Sequence, residues 1–133
     1  MAEPELDKPE IWLTLSDGKM AEADDLLKLG HWRGVVSSAY FTMFYAAKAA
    51  LVTVGIDLRK HSGLGPNLSE HFVKTGILDQ RFNRMRMQAM RARELSDYDP
   101  GETVNEDGAK QALANANAFV SEIKKMLAHK NQE

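Results

Sequence analysis

The chain contains no cysteine, which removes disulfides, thiolate metal ligands and a cysteine nucleophile together and leaves burial as the source of stability. β-Branched residues are scarce. Val and Ile supply 11 positions against 30 for Ala and Leu, a bias away from strands and toward helices. The longest apolar stretch, residues 49–56, is far short of the roughly 20 residues that cross a bilayer, and Lys48 stops it from extending toward Met43, so no membrane span is expected. The N-terminal Met1-Ala-Glu-Pro-Glu-Leu-Asp-Lys8 is acidic and lacks the basic-then-apolar order of a secretory signal, from which a cytoplasmic location is expected. Charge of one sign is also missing: 17 Lys+Arg against 19 Asp+Glu leave -2, so any contact with a polyanion has to come from a local cluster of arginines.

What is present suits one domain, residues 1–133 with a core over about 10–128, because 44% hydrophobic and 27% charged residues are the proportions of a folded globular chain. A first helix opens at Pro9 and runs through Leu13, Met20, Leu26 and Leu27 to Gly30. The second carries Trp32, Val36, Tyr40, Met43, Ala47, Ala50 and Leu51 at three-and-four spacing, and Phe41, Phe44 and Tyr45 widen its apolar face, so it is read as the central helix. Pro66 is read as position N1 of a short helix through Leu68 and Phe72 that Gly76 terminates. Asp79 caps a fourth helix with Leu78, Phe82, Met85, Ala89 and Ala92 on one stripe, ending by Tyr98 ahead of Pro100. Thr103-Val-Asn-Glu106 matches a capping box for a fifth helix striped from Ala109 to Leu127. The expected fold is all-α, an up-and-down helical bundle of four long helices plus one short helix.

The fourth helix is the chemically distinctive segment. Arg81, Arg84, Arg86, Arg91 and Arg93 crowd it; Arg86 and Arg93 lie one heptad apart on the flank beside Met90, while Met87 and Met90 point away from the core stripe. Those methionines either touch a neighbouring segment or form a second buried face in a homodimer built on the second and fourth helices, with the arginines at its rim. Arg93 and Asp97 are four apart, an ordinary surface pair unless the planar guanidinium holds a phosphate while the carboxylate orients it. His31, His61, His71 and His129 lie on separate elements without metal-site spacing, so no metal and no cofactor are expected. His61 is read as capping the helix after it, with a base over a cleft as the alternative. Tyr40 and Tyr45 are read as core aromatics, Tyr45 being kept as a candidate ligand contact.

Ser38-Ala-Tyr40-Phe-Thr-Met-Phe44-Tyr45-Ala-Ala-Lys48-Ala-Ala-Leu51, then Lys60-His61-Ser62-Gly63, Glu70-His71-Phe72-Val73-Lys74-Thr75-Gly76 and Arg93-Glu-Leu-Ser-Asp97-Tyr98-Asp99, resemble the HEPN superfamily, in particular its small stand-alone prokaryotic members. The resemblance implies a helical bundle that pairs into a dimer, a link to RNA cleavage or nucleotide binding, and a nucleotidyltransferase partner in a toxin–antitoxin-like pair. Ribonuclease members carry an Arg followed after four to six residues by His at the end of this helix. Here Tyr98, Asp99 and Pro100 stand at that distance from Arg93, so the usual acid/base is missing, and a tyrosine with an ordinary pKa near 10 accepts protons poorly at neutral pH. The leading expectation is nucleotide or RNA phosphate binding by Arg93, Arg86, Asp97, Tyr98 and Tyr45. One alternative is an active metal-independent ribonuclease toxin in which Asp97, Tyr98 or His61 replaces the absent His; another is a ligand-free dimerisation or scaffold module.

Overall fold

The second helix is apolar on almost every side, and the structure answers by surrounding it. In the computed structural model, which describes residues 6–58, 63–98 and 103–131, the chain forms α1 (Pro9–Lys28), α2 (Trp32–Val52), the short α3 (Leu64–Leu68) continued by a π-helical turn (Ser69–Val73), α4 (Gln80–Tyr98) and α5 (Glu106–Asn131), with no strand among the described residues. Trp12 stacks on Tyr45, Ser16 Oγ donates to the Thr42 carbonyl at 2.8 Å, and Lys19 lies over Phe41, so α1 and α2 run antiparallel. Contacts from Arg33 to Ser96 and from Tyr40 to Arg93 make α4 antiparallel to α2 in turn, and the Lys124–Asp17 pair sets α5 antiparallel to α1. The result is the expected up-and-down bundle.

Val35, Ala39, Met43, Ala46, Ala47, Ala49, Ala50 and Leu51 of α2 are all closed off from solvent by α1, α4 and α5. The α2 sequence is long and apolar enough by itself to cross a bilayer, yet two thirds of that span is buried inside the bundle, where it serves as the core helix. Gly34 suits the close approach of α1: a Cβ there would lie 3.0 Å from Leu26 Cδ1, which would have to give by a few tenths of an ångström. Leu68 and Phe72 seal the core from the connector side, which the π-helical turn permits by closing Lys74 N–H onto the Ser69 carbonyl at 2.8 Å.

Two local expectations are corrected. Pro66 is the third residue of α3 rather than its first, because Gly63, at φ +89°, turns the chain so that the helix begins at Leu64; proline is tolerated there since the first-turn N–H groups have no intrahelical partner. The capping box does not form at the start of α5, where Asn105 Oδ1 instead accepts from Gly108 N–H at 2.8 Å. Asp79 does cap α4, accepting from Arg81 N–H at 2.9 Å. Phe119, 0% exposed at the centre of α5, fills the space between α5 and α2. Phe119→Ala is therefore expected to cost about 3–5 kcal/mol of unfolding free energy, measured by urea denaturation; a loss below about 1 kcal/mol would show that this core collapses around the missing ring.

Candidate functional site

Helix α4 is the polar member of the bundle and reaches the core chiefly through Phe82, with Met85 and Ala89 partly buried against it. Its seven-residue step from Arg86 to Arg93 spans about 10 Å at 1.5 Å per residue, and Tyr40 of α2 lies between the two arginines. The Arg93 guanidinium sits 5.4 Å from the Tyr40 ring centroid and 4.9 Å from that of Phe41, with Asp97 Oδ2 3.4 Å from its Nε. That separation is an ion pair without hydrogen-bond geometry, and the buried Nε has no hydrogen-bond partner. Three residues on, Ser96 is buried and its hydroxyl is equally without a partner. Two orphaned polar atoms on one face of one turn mark the C-terminal end of α4 as a place built to meet something polar.

Arg86 departs from the expected rim position. It is 5% exposed, its Nε donates to Asn83 Oδ1 at 3.1 Å, and among the described residues no carboxylate pairs with it. Burial holds its pKa below the ordinary arginine value, with Tyr40 acting in the opposite direction. The arginine stays charged at neutral pH. It forms part of the wall of a recess of about 630 Å³ between α4 and the α3 segment, together with Tyr40, Gly63, Leu64, Gly65, Pro66, Ser69, Asn83, Met87 and Met90. The recess thus unites a desolvated cation with an aromatic ring and two flexible methionines.

The other candidates are dispersed. Asp97 is held by Arg93, whereas Tyr98 is 77% exposed at the end of α4. Tyr45 stacks on Trp12 of α1 and reaches Arg93 only indirectly, through Phe41, 6.4 Å away between ring centroids, and through Phe44 and Tyr40. His61 lies outside the described residues. Tyr40, Ser96, Asn83 and Gly65 were not singled out as site residues. Tyr40 shares the helix period of the core, and the others carry no signal until α4 and the connector are brought together. A separate recess of about 570 Å³ brings His71 and His129 to one surface beside Val54, Ile77 and Glu122; no group of three metal-ligating side chains meets there or elsewhere among the described residues.

A family model described as HEPN domain matches residues 9–126. "Putative toxin MJ0142" of Methanocaldococcus jannaschii is 34% identical over 96 residues, 72% of this chain and 65% of that protein. A UPF0332 protein of Pyrococcus horikoshii is 40% identical over 68 residues, 51% of this chain and 48% of that protein, and a UPF0332 protein of Thermotoga maritima is 26% identical over 118 residues, 89% of each. The matched segment thus spans just under two thirds of the first relative and about half of the second.

Arg33, near the start of α2, donates through Nη1 to the Ser96 carbonyl, one of the four acceptors that the end of α4 leaves without a helical partner. This contact fixes the last turn that carries Asp97 and Tyr98. Arg33→Met is expected to accelerate amide hydrogen exchange over residues 95–98 by about ten- to a hundredfold, the loss of a charge-assisted hydrogen bond of about 1.5–3 kcal/mol; unchanged exchange would remove Arg33 from this role.

Proposed function

The chain belongs to the HEPN family, and on that premise we propose that it binds nucleotide or RNA through phosphate contacts to Arg93 and Arg86 of α4, working in the cytoplasm as one half of a toxin–antitoxin-like pair with a nucleotidyltransferase. The observation that carries the reading is the pair of arginines: Arg86, buried with no carboxylate against it among the described residues, and Arg93, partly exposed beside it with an Nε that lacks a hydrogen-bond partner. A buried cation left so is costly, and an oxyanion is the ligand whose geometry meets a guanidinium fork. Kinship with toxin-named archaeal proteins supports the toxin side of the pairing.

Binding is favoured over cleavage because α4 holds no histidine and Asp97, the carboxylate on its last turn, is engaged by Arg93. Two copies are proposed to pair over α2 and α4. Met87, half exposed on α4 next to Met90, and the partly exposed Phe41 and Phe44 of α2 supply the apolar part of such a contact. Pairing brings two sets of arginines toward one groove.

Fluorescence anisotropy with a short single-stranded RNA at low salt tests the reading. Arg93→Ala, checked for an unchanged sedimentation coefficient, is expected to weaken binding about 10- to 100-fold and to lower the salt slope by about one. Equal affinity of the two proteins, with the same oligomeric state, would make the Arg93–Asp97 pair structural.

A further inference from the structure

We infer that the Arg86 recess takes the terminal phosphate of a nucleotide, a phosphomonoester rather than the internal diester of a chain, and that Gly65 is the residue that leaves room for the Arg86 guanidinium that holds it. The inference rests on the nucleotide-binding reading and names the ligand class of one part of that site.

The first argument is depth. Arg86 is 5% exposed, so its guanidinium is reached only from within the recess. An internal phosphate carries a sugar on each side, and both would have to lie against the recess wall; a terminal phosphate meets the guanidinium end-on, with one substituent trailing toward solvent. A recess of about 630 Å³ is in the size range of small-molecule sites, and its mixture of a few polar groups with apolar walls suits a phosphate below a sugar and base.

The second argument is donor geometry. Asn83 occupies Nε, so the donors left to a ligand are the two terminal amino groups. A phosphomonoester offers three oxygens to a two-pronged donor, and its second negative charge is best rewarded where water is excluded. Tyr40 lines the same space; its ring is packed on Phe41, Phe44 and the Arg93 guanidinium, which leaves its hydroxyl as the group for a further hydrogen bond.

The third argument is Gly65. A Cβ at this position would lie 2.7 Å from Arg86 Nη2, closer than real Cβ atoms approach, so the guanidinium would have to shift. The connector backbone therefore presses on the guanidinium, and any residue larger than glycine displaces it. Gly65 acts through Arg86 and is a positioning residue.

Isothermal titration calorimetry tests this with adenosine monophosphate, adenosine, and the dinucleoside monophosphate ApA, whose single phosphate is internal. The monophosphate is expected to bind at least tenfold more tightly than ApA, and adenosine to give no saturable heat. Arg86→Gln should abolish the preference, and Gly65→Ala should weaken the monophosphate at least tenfold while leaving ApA unchanged. Equal affinity for the monophosphate and ApA, both lost in Arg93→Ala, would overturn the terminal-phosphate inference and leave the nucleotide-binding reading standing. The preference persisting in Arg86→Gln would overturn the placement. Absence of binding by all three compounds and by RNA would overturn both readings. The wild-type comparison of ligands stands even if a variant fails to fold.

Discussion

Everything in this fold follows from one constraint: α2 must be covered on nearly all sides. Its run of alanines at 46, 47, 49 and 50, each fully buried, has no large side chains to hold neighbours away, so backbones come close and the larger Phe119, Met43 and Leu51 fill the layers between them. α1 and α5 cover most of this surface. α4 covers the remainder with a sequence that is polar overall, and the mismatch between an apolar central helix and an arginine-rich lid generates the site. Tyr40 and Phe41 face that lid, and Arg93 answers with ring contacts where an aliphatic side chain would otherwise pack.

The electrostatic consequence is a cation that the bundle desolvates without neutralising. A buried guanidinium attracts an oxyanion far more strongly than one in water, because the surrounding dielectric is low and the donors are already oriented. Replacing Arg86 with a well-packed apolar residue would cost the fold little. On the proposed reading, its place beside a tyrosine and a glycine that clears space for it serves recognition more than stability. Arg93 has a different character: partly exposed, stacked on two rings and tethered by Asp97, it is suited to a contact made and broken at the surface.

The helices, their order and most of their ends were legible because each rule involved is local. Pro9, Gly30, Gly55, Asp79 and the period of the core residues all act within one or two turns. The start of α5 was misjudged for a comparably local reason: Asn105 competes with Thr103 for the same cap and wins by standing one residue before Glu106. Arg93 and Asp97 were legible as an i, i+4 pair. The burial of Arg86 was not, since it depends on Gly65, twenty-one positions away, pressing across from the connector. Tyr40 was hidden by its own role, because a residue at a core position reads as core even when its other edge lines a recess. Tyr45 faces Trp12 and α1, a choice between flanks of α2 that helix period alone leaves open.

The central claim is that the anion-binding surface of this protein is the α4 face against Tyr40. It is tested most directly by NMR observation of the arginine Nε–H and backbone amide signals during titration with a short single-stranded RNA. The account predicts saturable shifts of the Arg86 and Arg93 side-chain signals and of the Ser96 amide at a common midpoint. Shifts gathered instead around His71 and His129, or arginine signals of α4 that stay fixed while RNA binds, would contradict it.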